Sequence, residues 1–154
     1  MKQAAFLAVL FFLSLTLPAQ ERHLNTGLSL DEQYAFIGMM LEELVDRFGP
    51  PRAVASARGT ETWQDDVVFQ YTGVDFYVYI NRVWQVQFAA THGISHGSRK
   101  TAVMQILGNT AEDKGDHALM QITGRNWPLT LRVNFSSSDS TGQVTAIFIY
   151  RPDY

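Results

Sequence analysis

Apolar residues in the middle of the chain recur first at helical spacing and then at every second position. Between residues 39 and 48 they fall on one helical face, comprising Met40, Leu41, Leu44, Val45 and Phe48. Gly49 and the two prolines after it predict the end of this helix. A shorter helix is predicted just before it, because Ser29 and Glu32 have capping-box spacing.

Alternation with a period of two follows between residues 67 and 88. Turn signals at Thr72-Gly73 and Asn81-Arg82 divide it into three short runs, which predicts an antiparallel meander. The face predicted to point inward consists of Phe76, Val78, Ile80, Trp84, Val86 and Phe88. The 39–48 helix has the apolar stripe needed to cover that face. Residues 52–59 are predicted to be a loop.

The second half of the chain has the same order of elements. A glycine-rich joint at 92–97 precedes a helix that Ser98 is predicted to cap and Gly108 to end. Its predicted inward residues are Ala102, Val103, Ile106 and Leu107. A polar turn at 112–115 and strands at about 117–123, 128–135 and 143–150 follow, with a hairpin tip at 136–142.

Matched glycine spacings indicate an internal repeat. Gly38 and Gly49 are separated by the same distance along the chain as Gly97 and Gly108. The predicted fold class is α+β, with two tandem helix-plus-antiparallel-meander units whose helices pack on one face of the sheet. The predicted division is a lead and short helix at 20–37, a first unit at 38–91 and a second unit at 92–154.

The first residues have the pattern of an export signal. Lys2 precedes an apolar run from Ala4 to Leu13, and Pro18-Ala19-Gln20 suits cleavage after a small residue. We therefore expect residues 1–19 to be a signal peptide and the mature protein to be periplasmic or secreted, from a bacterial source. The alternative is a retained membrane anchor, although the run is shorter than the ~20 residues of a spanning helix.

Composition limits the classes of partner. The chain has no cysteine, so lipid attachment at the cleavage site is excluded and the core must fold without disulfides. Residues 1–19 contain one lysine and no acid, which leaves 11 basic and 15 acidic residues and a net charge of −4. This charge provides no basic face for nucleic acid. No later segment is predicted to form a stable membrane span.

Two histidines and an acidic cluster are the first candidates for site chemistry. His92 and His96 have the spacing of helical metal ligands, but the glycines around them favour a solvated loop. The polar cluster of Glu112, Asp113, Asp116 and His117 lacks the ligand spacing of a calcium loop and is interpreted as a solvated turn.

No catalytic motif supports an enzymatic role, and no metal or other cofactor is expected. The acidic residues Glu61, Asp65 and Asp66 near Trp63 are interpreted as turn formers. The alternative is a small exported hydrolase that uses Asp65, Asp66 or His117.

The outward strand positions provide the candidate binding site. They comprise Tyr77, Tyr79, Gln85, Gln87, Arg132, Asn134, Phe148 and Tyr150. Aromatic residues and arginine are enriched in protein-binding hot spots, because they bury a large area and several also carry polar tips. The alternative is an ordinary half-solvated sheet face, where tyrosine is also favoured.

The segment from Gly38 to Pro51, followed by Trp63 and the 67–88 meander, resembles the unit of BamE/SmpA-type envelope proteins. Two such units in tandem are similar to the fold of β-lactamase inhibitory protein. The second unit departs from the pattern, since Asn109-Thr110 replaces the two prolines. The resemblance implies binding to another envelope or extracellular protein. A structural or small-ligand-binding protein that uses the 92–97 joint is a further alternative.

Overall fold

The computed structural model describes residues 27–58 and 66–153, so the predicted signal peptide and the residues Glu61, Trp63 and Asp65 lie outside the described residues. Within these ranges, three α-helices, α1 (Leu30–Tyr34), α2 (Leu41–Phe48) and α3 (Lys100–Leu107), accompany ten strands. The strands are β1 (Ala53–Ala57), β2 (Asp66–Tyr71), β3 (Val74–Tyr79), β4 (Arg82–Phe88), β5 (Ala90–Thr91), β6 (Ile94–Ser95), β7 (Ala111–Asp113), β8 (His117–Ile122), β9 (Leu129–Phe135) and β10 (Val144–Tyr150).

Eight of these strands form one antiparallel sheet in the order β1-β2-β3-β4-β10-β9-β8-β7. The two halves of the chain meet where β4 pairs with β10, with Val86 opposite Ile149. The remaining strands, β5 and β6, form a short separate hairpin. The fold is therefore mixed, with a large antiparallel sheet and few helices. Among the described residues, no helix has the length and apolar character needed to cross a membrane.

The core lies against one face of the sheet, here called the inner face. Phe36, which follows α1, is fully buried, and its ring centroid lies 5.2 Å from that of Phe76 on β3. Phe48 at the end of α2 lies 6.0 Å from the same Phe76 ring. Phe88 on β4 stacks on Phe36 at 6.3 Å. Aromatic side chains bury about 150–250 Å² each in protein cores, so this cluster supplies much of the core of a chain without cysteine.

The capping box predicted for α1 is confirmed. The Ser29 hydroxyl accepts a hydrogen bond from the Glu32 N–H at 3.3 Å, and the Glu32 carboxylate accepts one from the Ser29 N–H at 2.8 Å. The helix predicted over 39–48 begins at Leu41, and Gly49 ends it as predicted. Its buried stripe is narrower than predicted, because Val45 is 38% exposed.

The prediction that the side chains of Ile80 and Trp84 point toward the core is wrong. Ile80 and Asn81 have φ angles of +42° and +63°, so they form the tight turn between β3 and β4, and Ile80 is 74% exposed. The register of the β3–β4 pairing then shifts between Tyr77 and Val78. From this point toward the turn, the residues of β4 that face the core are displaced by one position. Val83 is buried in place of Trp84.

Three further predictions about local structure are corrected. The loop predicted over 52–59 contains β1, and the polar turn predicted over 112–115 begins with β7. In α3 the N-cap is Arg99, which replaces the predicted Ser98. Val103 and Leu107 are buried as predicted, but Ala102 and Ile106 are exposed, because Lys100 occupies the buried side one turn before Val103.

Equivalent hydrogen bonds lead into α2 and α3. Before α2, Gly38 N–H donates to Val83 O at 2.7 Å, and Val83 N–H donates to Met39 O at 2.9 Å. Before α3, Gly97 N–H donates to Val144 O at 3.0 Å, and Val144 N–H donates to Ser98 O at 2.9 Å. In both halves the segment before the helix is thus tied to the start of a central strand, β4 or β10.

Candidate binding face

The outer face of the sheet, opposite the core, carries the predicted binding residues in two cross-strand rows. In the first row Gln87, Phe148 and Arg132 are direct neighbours on β4, β10 and β9. In the second row Tyr77, Gln85 and Tyr150 are direct neighbours on β3, β4 and β10. Directly opposed residues share a face, so these six side chains form one surface.

Tyr79 and Asn134 lie on the same face at opposite ends of this surface, opposite Arg82 and Ala146 respectively. The structure therefore brings together, on four adjacent strands, a set that we call the aromatic patch. It consists of Tyr77, Tyr79, Gln85, Gln87, Arg132, Asn134, Phe148 and Tyr150. All eight side chains are partly exposed, and the predicted inward residues Ile147 and Ile149 are buried behind them.

Side-chain contacts hold several members of the patch in place. The Tyr77 hydroxyl donates a hydrogen bond to Gln87 Oε1 at 3.0 Å, and its ring meets the Phe148 ring edge-on at 6.3 Å. Arg132 Nε donates to Asn134 Oδ1 at 2.8 Å. Burial, with smaller effects from the Asp75 and Asp66 carboxylates, raises the pKa of Tyr77, so its hydroxyl remains a donor at neutral pH. The patch is thus preorganised.

Asp75 is a polar member of this face that the sequence analysis missed. It lies on β3 directly between Gln70 on β2 and Gln87 on β4. Burial raises the pKa of the Asp75 carboxyl, and the opposing effects of Arg52 and a hydrogen bond from Gln70 are smaller. The available signal was an acidic residue at an outward strand position, two residues before Tyr77.

The residues considered for a hydrolase are far apart. Asp66 lies on β2 and His117 on β8, with four strands between them. At about 4.8 Å per strand spacing, their strands are roughly 24 Å apart across the sheet. Asp66 Oδ1 accepts a hydrogen bond from Trp84 Nε1 at 3.0 Å, whereas His117 Nδ1 lies 2.6 Å from Asp116 Oδ1. The structure therefore does not place them in one site.

The acidic residues Glu112, Asp113 and Asp116 are exposed, in agreement with the predicted solvated turn, and His117 is partly buried. Asp113 forms an ion pair at 2.9 Å with Lys100, whose side chain is only 7% exposed. Lys114 forms an ion pair with Glu112. The hydrogen bond from Lys100 is the largest of the effects that lower the pKa of Asp113. In the described part of the chain, no group of three or more potential metal-ligating side chains occurs.

His92 is not the solvated histidine that the sequence predicts. It is half-buried in the turn between β5 and β6, with a φ angle of +54°, and burial lowers its pKa. Its Nε2 lies 2.6 Å from the Tyr34 hydroxyl, and its Nδ1 lies 2.9 Å from the Thr91 hydroxyl. Together with Gln33, His92 lines a cleft of about 510 Å³ at the predicted joint.

A larger cleft of about 850 Å³ lies between the first two helices and the 124–127 loop. Its charged lining residues have both signs and comprise Asp31, Glu43, Asp46, Arg47 and Arg125. Arg125 pairs with Asp31 and stacks over the Tyr34 ring at 4.6 Å. Because the charges largely compensate each other, the cleft does not favour a ligand of either sign.

No protein-family model and no curated protein sequence matches this chain. Among solved structures, the chain is similar to an extracellular protein containing an SCP domain from Bacillus anthracis str. Ames, with 15% sequence identity and a TM-score of 0.47. The likeness covers 78% of this chain and 45% of that chain, so this chain spans less than half of the other protein's length. At this identity and TM-score, the likeness does not indicate a shared function.

Proposed function

We propose that this protein is an exported, non-catalytic protein-binding or envelope-assembly module that acts through the aromatic patch. The observation that carries the proposal is the arrangement of Tyr77, Phe148 and Arg132 on β3, β10 and β9, within four adjacent strands, with each side chain ordered by a neighbour. Preordered aromatic and guanidinium groups lose little conformational entropy when a partner covers them. They are therefore suited to be binding anchors.

The size of the face fits this role. Four strands span about 15 Å between their outer axes. A standard interface buries roughly 800 Å² on each partner, so the patch would form the centre of a larger contact. Asp75 and Leu119 extend the same row on either side of Gln87, Phe148 and Arg132. The partner would be another envelope or extracellular protein.

We further propose that the two halves are tandem units of a helix and an antiparallel meander. The equivalent hydrogen bonds of Gly38 and Gly97, and the mirrored strand order about the β4–β10 pair, support this arrangement. It agrees with the resemblance to BamE/SmpA-type units and to β-lactamase inhibitory protein, whose families bind proteins. The export of the mature chain is part of the same proposal and rests on the sequence of residues 1–19.

A small-ligand-binding role is a second candidate, because His92 lines a cleft at the 92–97 joint. The hydrolase alternative is weaker, since Asp66 and His117 lie on strands separated by four others. Ligand binding at the joint would be insensitive to substitutions in the patch. This difference separates the two candidates.

The test begins with affinity capture on the mature chain, followed by measurement of the dissociation constant for the purified partner. Replacing Tyr77 and Tyr79 together with alanine should weaken binding about 30-fold or more, the size expected for hot-spot loss. The matched control is Val78→Ala on the same strand, whose buried side chain should affect the melting temperature before binding. Unchanged binding by a folded double variant would overturn the proposal.

A further inference from the structure

We propose that β1 is a docking edge that accepts an extended strand from a partner protein, and that this strand carries an acidic residue at each end. The proposal concerns the edge of the sheet and is independent of the aromatic patch. Within the described residues, β1 pairs with β2 along its whole length and has no strand on its other side. It is therefore one of the two edges of the eight-stranded sheet.

The two edges differ in a way that indicates different roles. At the far edge, β7 has only three residues, two of which are Glu112 and Asp113. Short, charged edge strands are protected against pairing with other chains. At the near edge, β1 has five residues, Ala53–Ala57, without a charge or a proline. Val54 in its middle is 57% exposed. This edge lacks the protection that β7 has.

Small side chains make the backbone of β1 accessible. Three alanines and one serine stand beside Val54, and a neighbouring strand must approach to about 4.8 Å. In an edge strand, every second residue directs its N–H and C=O away from its one partner. An incoming strand would pair with these groups and gain most of its affinity from main-chain hydrogen bonds.

Two arginines define the chemistry of the incoming strand. Arg52 and Arg58 are both exposed and flank β1 at its two ends, about 20 Å apart in an extended chain. A second copy paired antiparallel about Ala55 would place Arg52 directly opposite Arg58, which is unfavourable for like charges. An acidic residue at each end of the incoming strand would instead meet a positive charge. The charges thus favour a partner strand over self-association.

The probe for this proposal is a blocked heptapeptide with alternating threonine and valine between two terminal glutamates. The comparison peptides carry lysines at both ends, or a proline at the centre of the glutamate version. Binding to the full mature chain is measured by fluorescence anisotropy, and amide hydrogen exchange at residues 53–57 is followed by NMR. We expect the glutamate peptide to bind at least about tenfold more tightly than either comparison and to slow exchange at these amides.

The matched variant is Arg52→Glu/Arg58→Glu, which changes no residue of β1, and Arg58→Glu alone keeps the attraction between Arg52 and Asp75. The preference of the double variant should reverse toward the lysine peptide. Equal binding of the proline peptide would indicate a purely electrostatic contact and overturn the proposal. Dimerisation through β1 would also overturn it, as would slow exchange, in the free monomer, of those amides at 53–57 that point away from β2. In either case another copy or a segment of the same chain would occupy the edge.

Discussion

The phenolic hydroxyl of Tyr34 lies 2.6 Å from Nε2 of His92, although 58 residues separate them in the chain. On its other side the imidazole Nδ1 lies 2.9 Å from the Thr91 hydroxyl, which donates to Gln33 Oε1 at 2.5 Å. A neutral ring with its proton on Nδ1 satisfies this chain, because Tyr34 then donates to Nε2 and Nδ1 donates to Thr91. The neutral imidazole therefore ties α1 to the β5–β6 hairpin.

Acid should weaken this connection. Burial lowers the pKa of His92 below its ordinary value of 6.5, so the unfolded chain binds the proton more readily than the folded one. The contribution of His92 to stability is then present at neutral pH and is lost as the pH falls below about 6.5 toward the lowered folded value. Arg125 and Asp31 are the charged groups that pair beside Tyr34.

The measurement is urea denaturation of the wild type and His92→Asn between pH 7.5 and 5.0. Asparagine tolerates the positive φ of this position, so the variant removes the titrating ring without adding much backbone strain. We expect the free energy of unfolding to fall more steeply with acid in the wild type than in the variant. Parallel pH profiles would show that His92 does not contribute to the acid sensitivity.

Lys100 should be a large contributor to the stability of the second half. Its Nζ donates to Gly115 O and Ser138 O, each at 2.8 Å, and pairs with Asp113 at 2.9 Å. The three ammonium protons thus each have an acceptor, and the contacts join α3 to two loops. Lys100→Met would leave these acceptors without their donor and should cost about 3 kcal/mol in the free energy of unfolding.

Lys114→Met is the matched control, because Lys114 is an exposed lysine and its ion pair with Glu112 is also exposed. Exposed pairs contribute little, so chemical denaturation of this control should show a change below about 1 kcal/mol. Similar losses in the two variants would mean that the Lys100 contacts contribute no more than a surface ion pair.

The sequence predicted the outer face well, because period-two alternation directly reports which side of a strand a residue occupies. Tyr77, Phe148 and Tyr150 lie on that face as predicted. Trp84 could not be placed, because a bulge depends on the pairing of two strands and leaves no periodic signal in one of them. The buried position of Lys100 could not be predicted for a related reason. Its hydrogen-bond acceptors include carbonyl groups of loops that are distant in the sequence.

β1 was missed because its alanines and serine have low strand propensity and no alternation of polarity. Only its pairing with β2 makes it a strand. The electrostatic environment of Asp75 could not be predicted from the sequence either. Its sequence neighbours indicate an outward position, but its environment is set by Gln70 and Gln87 on the flanking strands.

Replacing Asp75 with asparagine should stabilise the protein at neutral pH. Burial raises the pKa of Asp75 above its ordinary value of 3.8, which means that the ionised carboxylate is less favourable in the folded state. The neutral amide of Asp75→Asn removes this cost. Thermal melts should show a higher melting temperature for the variant at pH 7, with the difference shrinking as the pH falls toward about 4, because the folded wild-type carboxyl is protonated before the unfolded one.

A lower melting temperature for Asp75→Asn at pH 7 would contradict this expectation. It would mean that the attraction between the Asp75 carboxylate and Arg52 outweighs the cost of burial. Comparison of Arg52→Gln with Asp75→Asn/Arg52→Gln distinguishes the two effects, since the attraction is absent from both and they differ only in the buried carboxylate.

The matched glycines before α2 and α3 should differ in their tolerance of alanine. Gly38 and Gly97 have φ angles of +90° and +77°, so an alanine at either position carries left-handed strain of roughly 1–2 kcal/mol. At Gly97 an added Cβ would meet no atom within 4 Å, whereas at Gly38 it would lie 3.0 Å from Cζ2 of Trp127. Arg151 stacks over that indole ring at 4.7 Å, which hinders its retreat. We therefore expect Gly97→Ala to cost about 1 kcal/mol and Gly38→Ala about 2 kcal/mol or more in the free energy of unfolding.

Chemical denaturation in a Trp127→Leu background isolates the contact between the added Cβ and the indole ring. The cost of Gly38→Ala should then fall to that of Gly97→Ala, while the cost of Gly97→Ala is unchanged. Equal costs at the two glycines in the wild-type background would show that Trp127 yields freely and that strain alone sets both values.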